Sequence, residues 1–91
     1  MKARPDYQNA RYNLGRALIK TGRLDEALEM FRQVVAAYPN DSQARNGLGE
    51  LLYRQGKYAE AAAEFEKAVA LDASNETAKK NLDLARQSAH P

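Results

Sequence analysis

The sequence predicts an all-α protein made of helical hairpins stacked side by side, and three observations support this prediction. Strong helix formers such as Ala, Leu, Glu, Lys, Arg and Gln dominate the 91 residues. Apolar residues recur at three- and four-residue spacing, which is the period of one helix face. The whole pattern returns after 34 residues, as expected of a repeat protein. Together these observations indicate one small domain built from a repeated unit.

The repeat is visible when the chain is compared with itself at an offset of 34 residues. Residues 8–41 and 42–75 are identical at 11 of 34 positions. Most of these positions hold small or apolar residues, the kind that a recurring packing contact requires. They include Ala10/Ala44, Leu14/Leu48, Gly15/Gly49, Leu18/Leu52, Gly22/Gly56, Ala27/Ala61, Phe31/Phe65 and Val35/Val69.

The first unit is predicted to be a helical hairpin. Its first helix covers about 7–21 and ends at Gly22, because glycine readily adopts the left-handed conformation that often closes a helix. Its second helix covers about 24–37 and ends before Pro39, since the residue preceding a proline avoids α geometry. The two apolar stripes are Ala10, Leu14, Ala17, Leu18 and Ile19, then Leu24, Ala27, Leu28, Phe31 and Val35.

The second unit repeats this arrangement, and one further helix follows it. Helices are predicted at about 41–55 and 58–71, separated by Gly56, and a fifth at about 75–88. Three residues of N-cap type lie 34 residues apart, and we expect them to begin the first, third and fifth helices. These expected caps are Asp6, Asn40 and Ser74.

Composition and motifs argue against several functional classes. The formal net charge of +2 is too small to indicate nucleic-acid binding. The chain has no cysteine and a single histidine, His90, so we expect no catalytic residues, no metal site and no cofactor, and the chain is not expected to be an enzyme. No apolar stretch is long enough to cross a membrane and no signal segment is visible, which favours a cytoplasmic location and no membrane partner.

At the level of motifs, the chain resembles the tetratricopeptide repeat (TPR) family, whose 34-residue unit carries spaced Trp, Leu-Gly, Tyr, Ala, Phe and Pro positions. The first copy reads Arg11, Leu14-Gly15, Leu18, Ala27, Phe31, Pro39, and the second reads Arg45, Leu48-Gly49, Leu52, Ala61, Phe65, Ala73. The resemblance implies a right-handed α-solenoid of antiparallel helix pairs with five helices. We therefore expect a single domain over residues 1–91, with repeats at about 8–41 and 42–75 and a capping helix at about 75–88.

The resemblance also implies function, because first helices of such repeats line a concave groove that binds a peptide or protein partner. Four of the residues expected to line this groove are basic (Arg16, Lys20, Arg54 and Lys80), whereas only Glu50 is acidic. The expected ligand is therefore an acidic or extended segment. The residues expected to line the groove are Asn9, Tyr12, Asn13, Arg16, Ile19, Lys20, Gln43, Asn46, Glu50, Tyr53, Arg54, Thr77, Lys80 and Asn81.

Each of these assignments has a structural alternative. Tyr12 and Tyr53 are explained equally well as packing residues, and Arg16 and Arg54 as part of a solvated face. The lysine and asparagine clamp with which chaperone-binding members of the family hold a terminal carboxylate is missing here. Tyr12, Arg16, Gly47, Thr77 and Asn81 stand at the matching positions.

Two functions follow from the expected repeat fold. The first is a protein-interaction module, alone or within a larger scaffold protein. The second is self-assembly into a homodimer or an array, because the free side of the first helix would expose apolar residues such as Leu14 and Ala17.

Overall fold

The computed structural model describes the backbone of residues 5–89 and the side chains of residues 10–89. Within this part of the chain it contains five helices and no strand, so the predicted all-α helical repeat fold is confirmed. The helices follow one another as antiparallel hairpins in a stack measuring 47 × 29 × 18 Å. They are α1 (Pro5–Lys20), α2 (Leu24–Ala37), α3 (Ser42–Arg54), α4 (Tyr58–Leu71) and α5 (Glu76–Ala89).

Each hairpin turns at a glycine in the left-handed region, as the sequence predicts. Gly22 has a φ of 80° and Gly56 a φ of 81°. After Gly22, the amide of Arg23 donates to the carbonyl of Leu18 over 2.8 Å, which satisfies a carbonyl at the helix end. Lys57 repeats this bond in the second hairpin, so the two turns are built in the same way.

The N-caps lie one residue beyond the predicted positions. Asp41 caps α3, where its carboxylate accepts hydrogen bonds from the amides of Gln43 and Ala44 over 3.0 and 3.2 Å. Asn75 occupies the equivalent position before α5, and its Oδ1 accepts from the amide of Ala78 over 3.0 Å.

The predicted caps Asn40, Ser74 and Asp6 are therefore wrong. Asn40 and Ser74 lie inside the turns that precede the helices, because Asp41 and Asn75 donate their own amides back to Tyr38 and Asp72. Asp6 lies within α1, which begins at Pro5. Residue types that favour an N-cap stand next to one another in both turns, and their chemistry alone does not choose between them.

Two phenylalanines occupy the centre of the core. Phe31 of α2 and Phe65 of α4 are almost entirely buried. A Cβ added at Gly15 would lie 2.9 Å from the Phe31 ring, and one added at Gly49 would lie 2.6 Å from the Phe65 ring. The glycines of the first helices therefore leave the space that these rings fill, which explains why Gly and Phe recur together in both units.

Candidate peptide-binding surface

The first helices of the two hairpins, α1 and α3, and the following helix α5 contribute to one face of the stack, which we call the groove face. Two recesses on this face contain most of the residues that the sequence predicts for binding. Asn9 lies in α1, but its side chain is outside the part of the chain that the structure describes. The other thirteen predicted residues are divided among the two recesses, the exposed surface and the core.

The larger recess, which we call the polar cleft, has a volume of about 330 Å³. This size falls at the lower end of the range for ligand sites, about 300–1,000 Å³. The cleft brings together five predicted residues from three helices: Tyr12, Arg16, Gln43, Asn46 and Thr77. Four residues that were not predicted from the sequence complete its lining: Asp72, Ser74, Asn75 and Glu76.

Arg16 is held in place at the α1 side of the cleft. Its Nη1 donates to the hydroxyl of Tyr12 over 3.4 Å, and its guanidinium lies 5.9 Å from the centre of the Tyr12 ring. The hydrogen bond with Tyr12 is the main reason that the pKa of Arg16 is raised above its usual value. Tyr12 in turn packs edge-on against the buried Phe31, with ring centres 5.7 Å apart. The guanidinium is therefore exposed yet anchored to the core through one aromatic ring.

Two amide side chains join α3 to α5 in the middle of the groove face. Nδ2 of Asn81 donates to Oδ1 of Asn46 over 3.1 Å. Asn46 is only 6% exposed and is the one buried polar side chain among the described residues. Because it lines the polar cleft while Asn81 lines the neighbouring recess, the pair forms the wall between the two.

The smaller recess, which we call the apolar hollow, has a volume of about 40 Å³ and is mainly apolar. Tyr53 forms one wall and is fixed by two contacts. Its hydroxyl lies 3.0 Å from the hydroxyl of Ser88, and its ring packs edge-on against Tyr58 with centres 5.0 Å apart. Leu84, which was not predicted from the sequence, is 50% exposed at the rim. The described residues that line the hollow are Glu50, Tyr53, Phe65, Asn81 and Leu84.

The turn between α4 and α5 supplies the cleft residues that were not predicted. Asp72 accepts hydrogen bonds from the hydroxyl and the amide of Ser74 over 2.6 and 3.0 Å. These bonds, the hydroxyl bond first, lower the pKa of Asp72 below its usual value. The turn is also tied to α3, because Nδ2 of Asn75 donates to the hydroxyl of Ser42 over 3.3 Å. A polar turn just before a groove helix is the sequence signal that could have identified these residues.

Five predicted residues line neither recess. Ile19 is only 7% exposed and belongs to the hydrophobic core cluster, so its prediction as a groove residue, made by helix-face projection, is wrong. Asn13, Lys20 and Lys80 are exposed outside the linings of both recesses. Arg54 is likewise exposed and lies 3.9 Å from the carboxylate of Glu50.

Tyr12 and Tyr53 take part in core packing and also lie on the groove face. Each is half-buried, packs against the core cluster and also lines a recess.

No three His, Asp or Glu side chains in the described part of the chain are grouped to hold a metal ion. None of the described helices is both long enough and apolar enough to cross a membrane.

The stacked hairpins and the recesses on their first helices define a helical-repeat protein. The family model for the tetratricopeptide repeat matches residues 2–42 and 12–76, and the chain belongs to this family. No curated protein matches the sequence.

Two solved structures show the same fold. The second TPR domain of Spaghetti (RPAP3), bound to the HSP90 peptide SRMEEVD, superposes with a TM-score of 0.83 at 22% identity, covering 88% of this chain and 74% of that one. The first TPR domain of Spaghetti, bound to the same peptide, gives a TM-score of 0.87 at 24% identity, covering 91% of this chain and 66% of that one. At these identities the likeness establishes the fold.

Proposed function

We propose that this chain is a non-enzymatic protein-interaction module that binds an extended segment of a partner protein across the groove face. The observation that carries this proposal is the polar cleft, in which side chains from α1, α3 and the start of α5 surround one recess. Such convergence of polar groups from separate elements is typical of a binding site. The single domain is proposed to comprise two repeats at about 8–41 and 42–75 and a capping helix at about 75–88.

The chemistry of the groove face suits a peptide backbone and a few side chains. The side-chain amides of Gln43 and Asn46 can each donate to and accept from the main chain of an extended segment. Tyr53 and Arg16 are of the residue types enriched in binding hot spots, and both are held in position before a ligand arrives. Fixed side chains lose little conformational freedom on binding, which favours affinity. The two Spaghetti domains, each bound to a peptide, support a peptide as the kind of ligand at the level of the fold.

The sharpest test uses a photo-crosslinking amino acid placed at single exposed positions. We expect the probe at Gln43, inside the polar cleft, to crosslink a partner in cell extract, whereas the probe at Arg32, exposed on α2, should not. The variant Tyr53→Phe tests separately whether the hydroxyl of Tyr53 contributes to partner binding, because it removes the contact with Ser88 but keeps the packed ring. Equal crosslinking from Gln43 and Arg32 would reject the groove face as the binding surface.

A specific observation favours self-assembly as the second candidate function. Leu14 of α1 is 49% exposed, although the equivalent residue of the next repeat, Leu48, is only 7% exposed. Ala10 is exposed in the same way, although its counterparts Ala44 and Ala78 are fully buried. The free side of α1 therefore carries the apolar stripe that the later repeats bury, and a second copy of the chain could cover it.

Sedimentation tests this second candidate. If the stripe mediates self-association, the chain forms a dimer whose population rises with concentration, and Leu14→Lys makes it monomeric without reducing its helicity. Lysine is a good helix former at an exposed position, so the substitution tests the contact and not the fold. A chain that stays monomeric at high concentration would exclude self-assembly through α1.

A further inference from the structure

We propose that the polar cleft selects a segment carrying both charges, with an acidic side chain over α1 and a basic side chain against the turn between α4 and α5. The inference rests on the proposed function, because it assigns the ligand of the same cleft. It refines the sequence-based expectation of an acidic or extended ligand, because the α4–α5 turn brings carboxylates into the lining.

The α1 end of the cleft is suited to a carboxylate. Among the described residues that line the cleft, Arg16 is the one cation, and its guanidinium is exposed. The contacts with Tyr12 restrain the arginine side chain without using all of its donors, since a guanidinium has five N–H groups. An incoming carboxylate can therefore accept hydrogen bonds from a group that is already oriented.

The opposite end of the cleft is suited to an ammonium or guanidinium group. Asp72 and Glu76 both line it, so the described lining places two carboxylates at this end and the guanidinium of Arg16 at the other. The Ser74 bonds fix one oxygen of Asp72 and leave the second oxygen open to a ligand. Glu76 lies 3.4 Å from Lys79, but both side chains are largely exposed and such a pair is weak.

The turn that carries these carboxylates is held rigidly against the rest of the stack. The hydroxyl of Ser42 donates to the carbonyl of Ala68 over 2.8 Å and accepts from Asn75. The amide of Asp72 donates to the same carbonyl over 3.0 Å. The acidic end is thus fixed relative to α3, and the distance between the two charged ends of the cleft is set by the stack itself.

The floor between the charged ends is suited to main-chain groups and not to charge. Gln43 and the nearly buried Asn46 lie there, and both carry neutral amides. A purely acidic segment would meet Asp72 and Glu76 with like charge, and a purely basic one would meet Arg16. A segment with one charge of each sign satisfies both ends.

The test uses an array of capped octapeptides of glycine, serine, asparagine and valine. Four sets carry one glutamate and one lysine, two glutamates, two lysines, or no charge. In the first three sets the two charged residues are placed about two to six residues apart, which corresponds to about 7–20 Å of extended chain and therefore covers separations of up to two helix-to-helix steps of about 8–10 Å each. We expect the mixed set to bind about ten-fold more tightly than the doubly acidic or doubly basic sets, with both residue orders tested.

Conservative variants separate the two ends of the cleft. Arg16→Gln is expected to abolish the preference for glutamate and to leave the preference for lysine. Asp72→Asn combined with Glu76→Gln is expected to do the reverse, and asparagine retains the oxygen that accepts from Ser74. Arg32→Gln and Glu29→Gln, on the exposed surface of α2, are the matched controls and should leave both preferences unchanged.

The outcomes distinguish this inference from the proposed function. Equal binding of doubly acidic and mixed peptides would overturn the two-charge preference while leaving peptide binding intact, and so would loss of both preferences in Arg32→Gln. No binding of any peptide in the array, together with no crosslinking from Gln43, would overturn both. Added salt should weaken the preference for mixed peptides, because exposed charges are screened.

Discussion

The ring of Phe31 in α2 fills the space that a side chain at Gly47 in α3 would need. A Cβ added at Gly47 would lie only 2.4 Å from Cε1 of Phe31. This contact crosses from the first hairpin to the second, so it fixes how closely the two repeats stack. It also explains why Gly47 stands at the position where the first repeat has Asn13 and the fifth helix has Asn81.

Gly47→Ala is expected to destabilise the fold by about 1–3 kcal/mol, because the added methyl group would force the fully buried Phe31 ring to shift. An alanine in an unhindered helix would have the opposite effect. Chemical denaturation measures the change, and Gln43→Ala in the same helix is the exposed control. The double variant Gly47→Ala with Phe31→Leu should recover part of the loss, and additive effects of the two substitutions would contradict the proposed contact.

Phe65 is the second anchor of the core, and its truncation should remove cooperative unfolding. Replacing a buried phenylalanine with alanine costs about 3–5 kcal/mol, whereas a domain of this size has about 5–15 kcal/mol in total. We expect Phe65→Ala to give a broad thermal transition by circular dichroism, and Phe65→Leu to retain a sharp transition at a lower temperature. An unchanged melting curve for Phe65→Ala would contradict the assigned core.

The helices could be predicted from the sequence to within two residues because two independent signals agree. Apolar periodicity marks the buried faces, and Gly22 and Gly56 end helices where their backbone conformation requires glycine. The burial of Phe31 and Phe65 could be predicted as well, since they recur beside small residues at the repeat period.

The candidate site could be predicted only in part, because it depends on how the hairpins stack. Projection onto helix faces selected Tyr12 and Asn46 as groove residues, and in the structure both line the polar cleft. It failed for Ile19, which belongs to a core cluster drawn from all five helices, and the face of a single helix does not reveal such a cluster. It could not identify Asp72 or Glu76, whose place in the cleft follows from the path of the α4–α5 turn.

An ion pair distinguishes the two hairpins and leads to a further prediction. Nη1 of Arg45 lies 3.1 Å from Oε1 of Glu64, and these side chains are only 17% and 14% exposed. In the first hairpin the corresponding residues are Arg11 and Met30. We expect Glu64→Met to cost about 1–3 kcal/mol, because it leaves the guanidinium partly buried without its carboxylate.

A double-mutant cycle tests the ion pair. Arg45→Met with Glu64→Met should be more stable than the sum of the two single changes implies, since neither partner is then left alone. Lys67→Gln is the control, because Lys67 reaches Glu64 only from the exposed side over 3.6 Å. Strict additivity between the two methionine substitutions would show that the pair contributes nothing.

The turn at Asp72 gives a prediction about pH. Hydrogen bonds from the hydroxyl and amide of Ser74 lower the pKa of Asp72 below 3.8 in the folded chain. A carboxyl group whose pKa is lower in the folded state stabilises the fold above its unfolded pKa, and this contribution is lost as the pH falls through the folded pKa. The turn is therefore expected to loosen only at pH values below the usual pKa range of an aspartate.

Carbon-13 NMR titration of the Asp72 carboxyl group measures the effect directly. Ser74→Ala should raise the pKa of Asp72 towards 3.8, because it removes the stronger of the two bonds. The same pKa in Ser74→Ala and in the parent chain would contradict this account of the turn.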